Sequence, residues 1–148
     1  IQITRHLPRS FGLVETDLGA AHETELVCDA DGLISQTLEQ YIWENGINPI
    51  IEQAIQIFKE DWPVKPPRTR DLIPHNFVVQ LKDEATHLVL IDGFGKKPLI
   101  KLPFTSQLSK LRLKQRFEDL DYRIGLITKR KAAGNGPMDR INNLKRGG

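Results

Sequence analysis

Apolar and polar residues in the first fifth of the chain follow a pattern typical of β-strands. Two segments, FGLVETD and ETELVCD, set Val, Leu and Phe among polar residues, and a loop that carries Gly19 separates them. The next segment, DGLISQTLEQYIWENG, contains a capping box from Thr37 to Gln40 and a glycine stop at Gly46. The pattern therefore predicts two strands followed by a helix over residues 36–45.

A second helix follows with a stronger signal. In NPIIEQAIQIFKEDW, Asn48 can cap the helix and Pro49 suits its first position. Apolar residues at helical spacing line one face, namely Ile51, Ala54, Ile55 and Phe58. The sequence predicts a helix over residues 49–60, which ends before the proline-rich stretch PVKPPRTR because proline forbids regular helix and forces extended backbone.

Two β-branched runs, NFVVQL and THLVLID, flank the four residues KDEA, and this pattern predicts an antiparallel hairpin. In such a pair the first strand begins beside the end of the second, so we expect Asn76 and Asp92 at the same end. Asp71 precedes Asn76 by five residues on the connecting loop. The pattern predicts that three oxygen-bearing side chains converge at one end of a rigid apolar hairpin.

A third, amphipathic helix is predicted from SQLSKLRLKQRFEDLDYRI. Its apolar face comprises Leu113, Phe117, Leu120 and Ile124, and its other faces carry Lys110, Arg112, Lys114 and Arg116. The last segment, KRKAAGNGPMDRINNLKRGG, has turn residues and no sustained period, which is typical of a loose tail. We predict one domain over residues 1–128 and a flexible basic tail over 129–148. The fold class is α+β, mainly helical, with two short antiparallel hairpins.

Composition narrows the class of protein. A chain of 148 residues with 39% hydrophobic and 27% charged residues is ordinary for a soluble globular domain. No apolar run approaches the about 20 residues of a membrane span, and no signal peptide is present. The single cysteine, Cys28, excludes an internal disulfide and fits a reducing compartment. We expect a cytoplasmic protein without membrane contact.

Charge is segregated along the chain, although the net charge is only +2. Residues 1–60 carry three basic and ten acidic residues, whereas residues 96–131 carry eleven basic and three acidic ones. A solvated basic helix is the plainer interpretation, and contact with an acidic partner is the alternative. Nucleic-acid binding is a less well supported interpretation than either of these. The basic residues share their segment with a full apolar face, and no recognition-helix motif is evident.

The three polar residues around the hairpin suit metal-assisted phosphate chemistry. Carboxylate and amide oxygens are the ligands that Mg²⁺ prefers, and Mg²⁺ commonly bridges a protein to phosphates. Asn76 and Asp92 are suitable ligands, while Asp71 could orient a hydroxyl or accept its proton. Alone, Asp71 or Asn76 is more typical of a turn cap, but the joint spacing favours a phosphoryl-transfer site. The four histidines and Cys28 lack metal-ligand spacing, so we expect core or surface roles for them.

Several blocks of the chain resemble known families. RDLIPHNFVV and LVLIDGFG resemble the catalytic loop and the metal-binding D-F-G segment of protein-kinase-like enzymes. HLPRSFGLVETDLG, LVCDADGLISQTLEQYI and LVLIDGFGKKPLIKLP, together with the basic helix that follows, resemble the YrbL family of PhoP regulatory network proteins, over residues 6–125. These are small bacterial proteins with a kinase-like fold. The resemblance implies the larger lobe of such a fold, with the small lobe largely missing from this chain.

The resemblance also implies a role for each matching position. Asp71 matches the catalytic base and Arg70 the arginine beside it, whereas Asn76 and Asp92 match the metal ligands. Residues 25–32 match the linker between kinase lobes, where backbone groups contact adenine. The nucleotide-binding residues implied there are Val27, Cys28 and Asp29. The implied cofactors are ATP and Mg²⁺, and the implied reaction is phosphoryl transfer to an unknown acceptor in a bacterial regulatory network.

Departures from the kinase pattern favour an alternative. Thr69 stands where the usual histidine would be, DGF replaces D-F-G, and no A-P-E segment follows. The resemblance further implies that the Gly-rich loop, the strand lysine and its glutamate lie outside this chain, so we expect no kinase activity from the chain alone. The alternative is a noncatalytic, pseudokinase-like regulatory or scaffolding module that meets an acidic protein or nucleic acid through its basic helix, residues 106–123.

Overall fold

A computed structural model describes residues 5–62, 71–83, 85–93 and 106–135. Within these ranges the chain is α+β, with three α-helices and antiparallel sheets. The elements in chain order are β1 (Ser10–Thr16), β2 (Gly19–Thr24), β3 (Gln36–Thr37), α1 (Leu38–Asn45), α2 (Pro49–Asp61), a 3₁₀ turn (Pro74–Asn76), β4 (Phe77–Lys82), β5 (Ala85–Leu90) and α3 (Ser106–Ala132). The α+β class predicted from the sequence is confirmed.

Helices α1 and α2 begin at the predicted caps. The hydroxyl of Thr37 accepts a hydrogen bond from the N–H of Gln40 at 3.2 Å, and Asn48 accepts one from the N–H of Ile51 at 3.0 Å. Both bonds satisfy amide groups that the first turn of a helix leaves without a partner. The helix predicted from residue 36 starts two residues later, because residues 36 and 37 pair with β4 instead. Helix α2 ends one residue beyond its predicted end.

The first hairpin lies earlier in the chain than the sequence predicted. The second strand was predicted over ETELVCD, but β2 pairs with β1 from Gly19 to Thr24. A two-residue turn at Asp17 and Leu18 reverses the direction of the chain directly after β1. Gly19 then starts β2 at φ +105°, a conformation that favours glycine. The segment after Thr24 leaves the hairpin and runs toward β4, where the N–H of Ala30 donates to a β4 carbonyl at 2.8 Å.

The second hairpin forms as predicted and gains an extra strand. Strands β4 and β5 are antiparallel, with Phe77 opposite Leu90 and Lys82 opposite Ala85. Strand β3 adds to the free edge of β4, with Thr37 opposite Val78. The predicted pair is therefore a three-stranded sheet of order β3-β4-β5, because two residues before α1 are extended enough to pair.

The core lies between this sheet and the three helices. Its fully buried members include Leu38, Ile42, Ile51, Phe58, Phe77, Leu88, Leu90, Leu120 and Ile127. Phe58 stands at its centre, with its ring centroid 4.9 Å from that of Phe77 and 4.8 Å from that of Trp62. The predicted apolar face of α2 is confirmed. Burial of these side chains supplies the main stabilisation of the fold.

His6 fastens an early part of the chain to this core. Its side chain is fully buried, with Nδ1 2.7 Å from the carbonyl oxygen of Leu88 and Nε2 2.9 Å from a carboxylate oxygen of Asp61. Arg5 donates to the same carboxylate. The hydrogen bond from His6 contributes most to holding the pKa of Asp61 below its usual value.

Helix α3 extends past its predicted end. The predicted boundary between domain and tail at residue 128 lies inside the helix, because Ile124 and Ile127 continue the buried face. Lys131 Nζ then donates to the carbonyl oxygen of Glu44 at 3.2 Å, which ties the last turn of α3 to α1. The rest of the predicted tail from residue 136 lies outside the described residues. Across the described part of the chain, no helix is both long and apolar enough to cross a membrane.

Candidate functional site

The hairpin of β4 and β5 brings the ends of its two strands together. Phe77 stands opposite Leu90, and the N–H of Ile91 donates to the carbonyl oxygen of Asn76 at 2.8 Å. Asp92 follows directly on that strand. Asn76 and Asp92 therefore leave the sheet at the same end, as the antiparallel pattern predicted.

Asn76 fixes the loop that precedes the hairpin. It lies in the 3₁₀ turn and is only 6% exposed. Its side-chain Nδ2 donates a hydrogen bond to the backbone carbonyl oxygen of Asp71 at 3.0 Å. Its Oδ1 is the atom of this side chain that can accept a hydrogen bond or coordinate a metal. The side chain thus both positions Asp71 and offers a donor atom.

Gly93, three residues after the end of β5, packs closely against Asn76 and the backbone of Asp71. Its φ is +90°, and a Cβ at this position would lie 2.8 Å from both Asn76 Nδ2 and the Asp71 carbonyl oxygen. The N–H of Gly93 donates to the Asp92 carboxylate at 2.6 Å. Only glycine allows this backbone conformation and this close approach. The glycine that replaces phenylalanine in D-F-G is therefore required by the local packing. The sequence analysis missed this role, although an Asp-Gly pair after a strand is a signal for a turn.

Asp71, Asn76 and Asp92 are called the acidic site below. Asp71 and Asp92 are exposed, whereas Asn76 is buried. Mg²⁺ usually takes one or two carboxylates and completes its coordination with water and phosphate oxygens, so this donor set fits Mg²⁺ bound together with a phosphate. Within residues 5–62, 71–83, 85–93 and 106–135, no group of three His, Cys, Asp or Glu side chains is arranged to hold a metal. The acidic site accordingly does not form an all-protein metal cage.

His75 lies beside the acidic site, whereas the sequence analysis predicted only a core or surface role for it. Its Nδ1 is 3.8 Å from Oε2 of Glu39 on α1. Burial lowers the pKa of His75 and the positive charge of Arg123 lowers it further, while the carboxylates of Asp92 and Asp71 act in the opposite direction. The net pKa shift is downward, which favours a neutral imidazole. The carboxylates of Glu39, Asp71 and Asp92 and the guanidinium of Arg123 therefore lie within electrostatic reach of the same ring.

The predicted adenine-contacting segment is engaged with the rest of the chain. The carbonyl of Val27 accepts a hydrogen bond from the N–H of Ser35 at 3.1 Å. The carbonyl of Cys28 accepts one from the side chain of Gln80 at 2.9 Å, and the N–H of Asp29 donates within its own loop at 2.8 Å. Adenine would have to use other backbone groups here or displace these bonds. Nucleotide contact at these three residues stays a prediction.

Two other predicted features, Arg70 and the basic helix, are not part of the contacts described above. Arg70, matched to the arginine beside the catalytic base, lies outside the described residues. The basic helix is α3, and Lys110, Arg112 and Lys114 on it are exposed. They occupy the solvent side of α3, as the amphipathic pattern predicted.

A separate groove of about 530 Å³ lies between α2 and α3. Its lining includes Ile47, Ile55 and Ile124, and an ion pair between Lys59 and Asp121, at 2.6 Å, bridges the two helices. The groove shares no residue with the acidic site. Sequence reasoning missed it because its walls come from elements whose relative placement depends on tertiary packing.

The described residues form an α+β domain in which the segments carrying Asp71, Asn76 and Asp92 meet at one end of a hairpin. The chain belongs to the YrbL family, because the family model described as PhoP regulatory network protein YrbL matches residues 2–124. The family predicted from the sequence is thereby confirmed. Comparison with curated proteins and with solved structures found no match. The kinase-like character of the fold stays a prediction.

Proposed function

We propose that this YrbL-family protein is a kinase-like component of a PhoP regulatory network, and that its acidic site binds ATP with Mg²⁺ and serves phosphoryl transfer in the complete protein. One observation supports the proposal, namely that the chain segments carrying Asp71, Asn76 and Asp92 meet at one end of the hairpin. The bond from Asn76 to the Asp71 backbone and the tight packing of Gly93 hold these segments together. A fixed backbone beneath the reacting groups is one requirement of a phosphoryl-transfer site.

The three residues would divide the chemistry among them. Asn76 Oδ1 and the Asp92 carboxylate would hold Mg²⁺, which when bound neutralises phosphate charge and orients the phosphate for transfer. Asp71 is exposed at the end of an anchored loop, so its carboxylate can reach an acceptor hydroxyl and take its proton. The lowered pKa of His75 favours its neutral form, so less positive charge stands beside these carboxylates to oppose a bound cation.

The test is calorimetric titration of the chain with ATP in the presence and absence of Mg²⁺. Asp92→Asn removes one carboxylate from the acidic site, and we expect it to weaken Mg²⁺-dependent binding about tenfold or more. Asp83→Asn is the matched control, because it makes the same chemical change at the opposite end of the same hairpin. Equal affinities for these two variants would contradict the proposal.

A second candidate function is supported by the hydrogen bonds of the predicted adenine-contacting segment and by the exposed cations of α3. A noncatalytic module would bind an acidic polypeptide through Lys110, Arg112 and Lys114 rather than bind a nucleotide. A folded chain that binds poly-glutamate but not Mg²⁺-ATP favours this candidate. Lys110→Gln combined with Lys114→Gln should then weaken poly-glutamate binding, while Asp92→Asn should leave it unchanged.

A further inference from the structure

The hairpin of β1 and β2 holds several large apolar side chains in solvent. Phe11 is 53% exposed, Leu13 is 76% exposed, and Leu18 at the turn is 95% exposed. Neither β1 nor β2 contains a buried residue. Single exposed apolar residues are normal on a protein surface, whereas a group of them on one short element marks an interaction site.

The two strands of this hairpin differ in the size of their apolar side chains. Val14 on β1 stands opposite Ala21 on β2, and Leu13 stands opposite His22. Residues that face each other in an antiparallel pair point to the same face, and neighbours along a strand point to opposite faces. Strand β1 therefore presents one bulky aliphatic side chain, Leu13 or Val14, on each face of the hairpin.

The hairpin also has an outer edge that can accept a strand. In the described part of the chain, β1 and β2 form a sheet of two strands. The register of β1 is irregular between Ser10 and Gly12 and regular from Leu13 to Thr16. The outer N–H and C=O groups of such a strand can pair with an added polypeptide, while its side chains set the specificity.

Charge on the hairpin has one sign. Residues 10–25 contain no lysine or arginine. Their carboxylates are all exposed, namely those of Glu15, Asp17, Glu23 and Glu25. The guanidinium of Arg9, just before the hairpin, lies over the ring of Phe11, 5.3 Å from its centroid. The surface thus combines apolar side chains with negative charge, and its aromatic ring already contacts one cation.

This charge decides among the partners that an apolar strand could have. The four carboxylates repel nucleic acids and anionic membranes. A second copy that presented the same hairpin in a symmetric contact would oppose like charges. The exposed cations on α3 of a second copy belong to a helix, whose backbone groups are already bonded and cannot pair with a strand edge. A cationic polypeptide in extended conformation fits both the edge and the charge.

We propose that the β1–β2 hairpin is a docking site for a partner protein, which binds through an extended segment rich in lysine or arginine and aliphatic residues. The segment pairs with β1 along Leu13–Thr16. Its aliphatic side chains cover Leu13 and Val14, and its cations meet the carboxylates of the hairpin. This surface shares no residue with the acidic site, so the interaction is additional to the proposed function.

The experiment measures binding of short labelled peptides by fluorescence anisotropy, with circular dichroism to confirm folding. The first peptide alternates lysine and valine, the second glutamate and valine, and the third lysine and serine. We expect the chain to bind the lysine–valine peptide at least about fivefold more tightly than either of the others, because only this peptide matches both the charge and the apolar side chains.

Variants of the chain locate the site. We expect Leu13→Ser to weaken binding of the lysine–valine peptide about fivefold or more, and Glu15→Gln combined with Glu23→Gln to do the same. All three positions are exposed, so the fold tolerates these changes. Leu111→Ser and Glu118→Gln are the matched controls, because they make the same chemical changes at exposed positions of α3 and should leave the affinity unchanged.

Several outcomes would overturn the proposal. They are no binding of the lysine–valine peptide to the folded chain, equal affinity for the glutamate–valine peptide, and equal effects of the hairpin variants and their controls. Sedimentation velocity tests the second copy, since a dimer that Leu13→Ser dissociates would assign the hairpin to self-association instead. A longer form of the protein that no longer bound the peptide would show that its own residues cover the hairpin, which also overturns the proposal.

Discussion

Gly93 and Asn76 determine the geometry of the acidic site at the scale of single residues. The sequence predicted that Asn76 and Asp92 share one end of the hairpin, because the alternation of the strands fixes their register. It did not predict the contact of Gly93 with the backbone of Asp71, because that contact depends on a positive φ and on a loop whose path is set by a side-chain hydrogen bond. Short-range patterns carry no information about either.

Replacement of Gly93 by alanine tests this contact. We expect Gly93→Ala to lower the free energy of unfolding by about 1–3 kcal/mol, because alanine is strained at φ +90° and its Cβ would meet two atoms at 2.8 Å. Gly134→Ala is the control, since Gly134 also has a positive φ, +69°, but nothing lies within 4 Å of its Cβ position. Urea denaturation measures both variants. Equal losses would mean that the close approach contributes nothing.

The depressed pKa of His87 links stability to pH. Burial lowers this pKa most, and the positive charges of Arg5, His6 and Lys82 lower it further. Between its folded pKa and the ordinary value of 6.5, the unfolded chain binds more protons, so the contribution of His87 to stability is complete above about pH 6.5 and is lost as pH falls through the folded pKa. His87→Gln should make the free energy of unfolding fall less steeply as the pH is lowered, whereas His22→Gln, on exposed β2, should leave that slope unchanged. Identical slopes for the two variants would refute this assignment.

Local signals determined the elements of secondary structure more completely than their pairing. The caps at Thr37 and Asn48 were predicted correctly because capping depends on residues within one helical turn. Strand β3 was missed because two residues are too few to show a period. The second strand of the first hairpin was misplaced because Val27 and Cys28 are as β-prone as a true strand, yet tertiary contacts with β4 direct them elsewhere.

The carboxylate of Asp29 attaches the loop between β2 and β3 to the sheet. Its Oδ1 accepts hydrogen bonds from the hydroxyl of Ser35 at 2.5 Å and from the N–H of Leu81 at 2.9 Å. We expect Asp29→Ala to lower the free energy of unfolding by about 1–3 kcal/mol, since it removes two charge-assisted bonds, one within the loop and one from the loop to β4. Asp31→Ala is the matched control, because the hydrogen bond that Asp31 Oδ1 accepts from the N–H of Leu33 lies within the same turn. Chemical denaturation measures the free energy of unfolding of both variants. An equal loss for Asp31→Ala and Asp29→Ala would contradict the expectation.

At the scale of the whole molecule, the described residues combine a well-packed core with a hairpin, β1 and β2, whose side chains are mostly exposed. The sequence predicted the α+β class and the family, because both depend on patterns spread over the chain. It did not predict that β1 and β2 are exposed on both faces, with Leu13 76% and Leu18 95% exposed. Apolar residues at strand spacing predict a buried face, and only the tertiary arrangement reveals that the described residues leave these side chains in solvent.

An apolar-surface dye provides the test at this scale. We expect the folded chain to raise the fluorescence of anilinonaphthalene sulfonate, and Leu13→Ser combined with Leu18→Ser to reduce that signal by about half or more. Leu111→Ser on α3 is the control, because Leu111 is 53% exposed but isolated on a charged helix. A signal unchanged by the double variant would show that the dye binds elsewhere.

The burial of His6 has a consequence for the order in which the molecule assembles during its synthesis. Its two ring contacts reach Asp61, 55 residues later, and Leu88, 82 residues later. During synthesis Asp61 and Leu88 leave the ribosome long after His6 does. The side chain of His6 therefore stays exposed to solvent until β5 has been synthesised. Contacts of such long sequence separation slow the closing step of folding. The nascent chain is therefore expected to complete its core late in translation, when a chaperone can still reach the waiting segment.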